Sequence, residues 1–238
     1  MEKNMNLQAL QNVSLCAYGP GMTTTEVLAI AQKAHKLNAS TLFLQELDAH
    51  RLHKGAHPMS SIGLMASLPF AGVALEDTIR LLKRAEALGC KAFAFGLPIG
   101  IIKDDGFAKL EEMIRLLRES TDKVELYPTL GTSHISEEQV LKAVKLCLDE
   151  GCRAVCLGTG TSLDSVQEET LEALLAKGVS LSSLEIGVSD RHLLDPKAEK
   201  AWLLTGTVPL RICSSTLTLQ DFPLQFTALT QKEPSHDA

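Results

Sequence analysis

At 238 residues, nearly half of them hydrophobic but few aromatic, the chain holds enough Leu, Val, Ile and Ala for one substantial core. A net charge of −6 with no dense basic run argues against a nucleic-acid partner. No apolar stretch approaches a membrane span and the opening MEKNMNLQ lacks a signal-peptide core, so a cytoplasmic protein with no membrane partner is expected. Cys16, Cys90, Cys147, Cys152, Cys156 and Cys213 form no CxxC pair and read as reduced thiols of the cytosol.

In chain order, Val13 to Tyr18 reads as a short apolar strand closed by Gly19-Pro20-Gly21. One of Thr23, Thr24 and Thr25 then caps a helix to about Leu37, with Glu26 in its first turn where it suits the dipole. Ser40 to Glu46 is the second strand, Asp48 to Lys54 a short helix, and Ser61 to Leu68 the third strand. Leu75 to Leu88 has helical apolar spacing and stops at Gly89. Lys91 to Leu97 is the fourth strand and Asp105 to Glu119 its helix; Lys123 to Leu126 is the fifth strand. Ser136-Glu137-Glu138-Gln139 is a capping box that opens the next helix. Arg153 to Leu157, Leu181 to Val188 and Val208 to Cys213 complete the strands, with helices at Leu163 to Ala176 and Leu193 to Leu204 between them.

Strands alternating with helices throughout imply a parallel sheet, and eight units suit closure into a single (β/α)8 TIM barrel. A doubly wound open sheet is the competing architecture. Residues 1–230 are read as the barrel and the polar 231–238 as a flexible tail.

The run Gly151 to Gly160, GCRAVCLGTG, places a short strand before a glycine-threonine turn and a helix start. In a barrel, reacting side chains emerge from such strand ends, and backbone N–H groups at such turns hold phosphate. With SIGLMASLPFAG at 61–72, AEALGC at 85–90, LDEGCRAV at 148–155 and PLRICSS at 209–215, the chain resembles the deoxyribose-phosphate aldolases. The likeness covers about Val13 to Ser215.

That family's sixth strand reads like VKTSTG, its lysine forming a Schiff base with the substrate. The matching run here is Val155 to Gly160, and Cys156 holds the lysine position. The family's second lysine, on strand seven, falls on Ser183 or Leu184, and the proton-relay aspartate of strand four falls within Ala92-Phe93-Ala94. A Schiff base needs an amine with a depressed pKa, so the resemblance implies an aldolase-like barrel that has lost this chemistry. The phosphate-contacting positions match Thr159, Gly160, Thr161, Gly187, Val188, Ser214 and Ser215. Backbone donors there suit a sugar phosphate without a lysine; equally, they are the tight turns that a barrel needs.

Cys156, Glu125 and His192 are the candidates for a different catalytic set. The apolar flank of Cys156 suits an inert buried thiol as well as a nucleophile. Glu125, alone between Val124 and Leu126, is costly to bury unless functional or paired with an arginine across the barrel. Glu185, Asp190, Arg191 and His192 cluster around the end of strand seven, where helix capping is the plainer role for Arg191 and His192. Glu46, Asp48, His50, His53 and His57 crowd the segment after strand two but match no named metal motif, so no metal and no cofactor are expected. The expected partner is a phosphorylated small molecule, and the resemblance adds a homodimer. Three readings stay open: a binding or regulatory barrel, a lyase using another residue set, and a structural subunit.

Overall fold

Eight parallel strands close on themselves in the order β1 to β8 in the computed structural model, which describes residues 13–17, 22–36, 38–55, 61–66, 68, 71–160, 168–189 and 209–214. The strands are β1 (Val13–Ala17), β2 (Leu42–Leu44), β3 (Ile62–Ala66), β4 (Ala92–Gly96), β5 (Glu125–Leu130), β6 (Val155–Leu157), β7 (Leu184–Ser189) and β8 (Leu210–Ser214). Closure runs through β1 and β8, paired from Val13 opposite Leu210 to Ala17 opposite Ser214. The expected TIM barrel is therefore the fold, and the open sheet is excluded because no strand is left at an edge.

The described residues form seven helices: α1 (Thr24–Lys36), α2 (Glu46–His53), α3 (Leu75–Ala87), α4 (Ile99–Lys103), α5 (Phe107–Glu119), α6 (Glu137–Asp149) and α7 (Glu168–Ala176). None is long and apolar enough to cross a membrane. Their apolar stripes face the strands; α5 buries Phe107, Leu110, Ile114 and Leu117, the spacing of one helical face. The capping box at α6 is formed in both directions between Ser136 and Gln139. Helices α3 and α6 both end on a left-handed glycine, Gly89 (φ 72°) and Gly151 (φ 80°). Beyond each, the next amide bonds back to the last turn, Cys90 N to Ala85 O and Cys152 N to Cys147 O, both at 3.0 Å. These reversals aim the chain straight into β4 and β6.

Several strand boundaries differ from the sequence expectation by a residue or more, and three of them have a clear local reason. β2 stops at Leu44 because Gln45 caps α2, so Glu46 opens a helix. β7 begins at Leu184, since Leu181–Ser183 turns as a single 3-10 helix. β5 continues through Pro128 to Leu130. Leu126 O and Leu130 O accept from Arg153 N and Gly158 N, so the even residues of β5 turn their polar groups toward β6. Pro128 has no N–H to give on that side, and the β5–β6 ladder is confined to Thr129↔Cys156 and Leu130↔Leu157. The helices expected at 163–176 before Glu168 and at 193–204, and the tail 231–238, lie outside the described residues.

Alternate strand residues divide the core in two. An outer layer of Leu, Val, Ile and Ala lies between strands and helices. Inside the barrel, Cys16, Phe43, Met65, Ala92, Ala94 and Cys213 pack together with Tyr127 against them. Gly63 makes room for this filling, because a Cβ there would press into the Phe43 ring.

Candidate functional site

Thr129, Cys156 and Glu185 stand side by side on β5, β6 and β7, each the register partner of the next. From β8, one strand further, Arg211 reaches back along this row. Its Nη2 pairs with Glu185 Oε2 and its Nη1 donates to Thr129 Oγ1 at 3.0 Å. A guanidinium held at both ends of the row lies against its middle member, Cys156, whose thiol also donates to Gly158 O at 3.6 Å. Ser14 on β1 donates to Glu185 Oε1 at 2.8 Å, so both carboxylate oxygens are satisfied. The Arg211 Cζ lies 4.5 Å from the Phe43 ring centroid and 5.7 Å from that of Tyr127, and the two rings meet edge to face.

The side chains of Arg211 and Glu185 are 1% and 9% exposed. Burial alone would lower the Arg211 pKa, but Cys156 and Glu185 beside it outweigh that and hold the group above its ordinary value. Arg211 Nε is buried without a partner, so the guanidinium keeps one donor in reserve. Tyr127 is pushed up by burial first and then by the charge of Glu125, so its phenol stays protonated and donates to Glu125 Oε2 at 3.0 Å.

The candidate phosphate positions converge at the ends of β6, β7 and β8. Gly158 and Gly160 both take positive φ, 77° and 69°. That conformation folds the β6 turn over β7, where a Cβ on Gly187 would press into Gly158 O and come within 3.1 Å of Gly160 N. A Cβ on Gly160 would lie 2.5 Å from Cys213 Sγ. Thr159, Gly160, Gly187 and Val188 are thus neighbours, with the backbone of Ser214 on the adjoining strand; Thr161, Ser215, Arg191 and His192 lie outside the described residues.

Glu125 belongs elsewhere. It is the first residue of β5, at the N-terminal end of the barrel, its side chain 56% exposed and 3.9 Å from Arg153 on the neighbouring connection. The carboxylate paired with an arginine inside the barrel is Glu185, not Glu125. Ser183 lies in the turn before β7, short of the strand, and Leu184 packs in the outer core; the inward residue of the strand there is Glu185. Ala94, in the matching place of the relay aspartate, does face inward. In the segment after β2, Asp48 pairs with Arg51 at 3.1 Å and Glu46 with Arg84 at 3.4 Å. No group of three metal-ligating side chains occurs among the described residues, and His57 lies outside them.

Arg211, Ser14 and Thr129 were not singled out by sequence reasoning, and Glu185 only as a member of the charged cluster around the end of strand seven. The signal was there: Arg211 stands alone in Leu210-Arg211-Ile212-Cys213 and Glu185 alone in Leu184-Glu185-Ile186. Two lone opposite charges on consecutive parallel strands invite pairing.

Solved structures similar to this chain share the whole barrel. An aldolase designated QR15 superposes with a TM-score of 0.73 at 15% identity, covering 93% of this chain and 98% of its own. The deoxyribose-phosphate aldolase of Aeropyrum pernix, described as tetrameric, superposes at 0.69 with 13% identity over 91% of this chain and 92% of that one. The fold is that of the deoxyribose-phosphate aldolases. Likeness in sequence extends to a curated deoxyribose-phosphate aldolase of Clostridium botulinum (strain Alaska E43 / Type E3), 21% identical over 155 residues, 65% of this chain and 70% of the relative. No family model matches the chain.

Proposed function

We propose that this aldolase-like barrel binds a phosphorylated small molecule, in the first instance a sugar phosphate, at the C-terminal ends of β6, β7 and β8, and that it does so without Schiff-base chemistry. The observation that carries this reading is the interior row itself. The inward position of β6 is Cys156, beside Arg211 and Glu185, and no lysine among the described residues is buried. An imine to the substrate requires an amine; a thiol beside a guanidinium supplies none. The neighbouring glycine turns offer backbone donors for an anion.

A second reading, an aldolase-type lyase with another residue set, is favoured by one contact: Cys156 lies against the Arg211 guanidinium, the setting that favours a thiolate nucleophile. The two readings differ in turnover. Purified protein is expected to give no retro-aldol cleavage of deoxyribose 5-phosphate and no borohydride-trapped adduct with an aldehyde. Trapping on any lysine would refute the loss of Schiff-base chemistry, whereas borohydride-insensitive cleavage abolished by Cys156→Ser would establish the lyase.

Anion binding is read separately by thermal unfolding with phosphate and a pentose phosphate. A millimolar site at about 20 mM ligand adds about 1.8 kcal/mol to the native state, a rise of about 3–4 °C for a chain of this length. No rise with either ligand means that the cradle is a set of turns only.

A further inference from the structure

Cys16 on β1 and Cys213 on β8 are register partners across the seam that closes the barrel. Both side chains lie in the same interior cluster. Cys16 Sγ donates to Met65 Sδ at 3.2 Å, and Cys213 Sγ reaches Arg211 O at 4.0 Å. Neighbouring strands run about 4.7–4.9 Å apart, and disulfides span Cα separations of about 4.4–6.8 Å. Register partners that face the same side therefore stand at bonding range before any strand moves. On its far side Cys213 Sγ backs the β6 turn, at 2.5 Å from where a Gly160 Cβ would be.

We propose that Cys16 and Cys213 are a redox-active dithiol which a small-molecule disulfide converts to an inter-strand disulfide, tying β1 to β8 and drawing Cys213 Sγ away from the Gly160 turn. One protein thiolate attacks the small disulfide, forms a mixed disulfide and releases one small thiolate. The other protein thiolate then attacks the protein-side sulfur and releases the second. Two protons and two electrons leave the pair, and the oxidant ends as two thiols. The sulfurs finish about 2.05 Å apart, well inside any thiol–thiol contact. In the reduced protein the neighbouring Cys16 thiol, and then burial, hold the Cys213 proton tightly, only partly opposed by Arg211. Exchange is therefore slow at neutral pH and gains up to about tenfold per pH unit while the thiolate remains the minor form.

The inference goes beyond ligand binding, and its test stands apart from it. Full-length protein is incubated with oxidised glutathione at pH 7 and pH 9, blocked with iodoacetamide and mapped without reduction. The expected product joins the peptides of Cys16 and Cys213, forms faster at pH 9 and disappears with dithiothreitol. Cys147 and Cys152 are a second pair of neighbouring buried thiols, in the outer core and not in the barrel interior. A map showing only that pair, or only glutathione mixed disulfides, would overturn the proposal. Cys213→Ala should lose the crosslink, and should it not fold, the wild-type map alone decides. Phosphate stabilisation is then compared between reduced and oxidised protein. A response in the reduced form that changes on oxidation supports withdrawal from the Gly160 turn. An unchanged response refutes the withdrawal but leaves the crosslink. No response in either form counts against the anion site and not against the dithiol.

Discussion

Glu185→Gln is the substitution that asks most of this barrel. At nearly the same volume it keeps one oxygen for Arg211 and replaces the other with an amide NH2, from which Ser14 Oγ can accept by rotating its hydroxyl, so the main loss is the charge. The guanidinium is fully buried, on a side chain 1% exposed, and Glu185 is the only buried carboxylate on a strand among the described residues. Breaking a buried pair from one side typically costs about 3–5 kcal/mol, because the remaining charge has no water to turn to. Unfolding entropy near the midpoint is about 0.5 kcal/mol per kelvin for a chain of 238 residues. The expected fall in melting temperature is thus about 6–10 °C, read by far-UV circular dichroism. Removing both charges, as Glu185→Gln with Arg211→Met, should cost less than the sum of the two single changes by about 2 kcal/mol. A loss below about 1 kcal/mol for Glu185→Gln, or strictly additive losses, would show that Arg211 does not depend on Glu185 for its compensation.

Two further substitutions probe the strand ends. Gly187→Ala puts a Cβ into the Gly158 carbonyl, and backbone cannot yield there as a flexible side chain would; a loss of about 3 kcal/mol or failure to fold is expected, and a melting temperature within 2 °C of wild type (about 1 kcal/mol) would mean that the β6 turn moves freely. Cys156→Lys is expected to give no turnover of deoxyribose 5-phosphate, since Ala94 faces the interior where the resemblance requires a proton-relay aspartate; measurable cleavage would refute that dependence.

The barrel was legible because each strand is a short apolar run closed by a turn, and each helix carries one apolar stripe with its own start or stop signal. Leu75 to Ala87 ends at Gly89 and Glu137 to Asp149 at Gly151, as their sequences announce. The end of β5 was missed: the strand was read only to Leu126, yet it runs through Pro128 to Leu130, because β6 is too short to need the donor that Pro128 lacks. The interior was less legible, because the meaning of a lone charge depends on its level in the barrel. Glu125 and Glu185 look alike in sequence, one carboxylate between apolar neighbours. The first opens its strand and reaches solvent; the second lies one residue inside its strand, with Arg211 beside it on β8. Their level on the strand, and the register that sets Arg211 beside β7, separate them.

That register also bears on why a thiol suits position 156. The Thr129–Cys156–Glu185 row accommodates one cation, Arg211, matched by one carboxylate. A lysine in the middle would bring a second positive charge against the first, with no second buried carboxylate on a described strand to answer it. Such an ammonium would be driven toward its neutral form by desolvation and by Arg211, while competing for Glu185 and leaving Arg211 exposed to the penalty set out above. A neutral thiol makes no such demand, fits the apolar flank of Ala154, Val155 and Leu157, and leaves the Arg211–Glu185 pair intact. Charge balance in the interior therefore favours Cys156 as the barrel stands. An amine at this position would call for Glu185 and Arg211 to change with it.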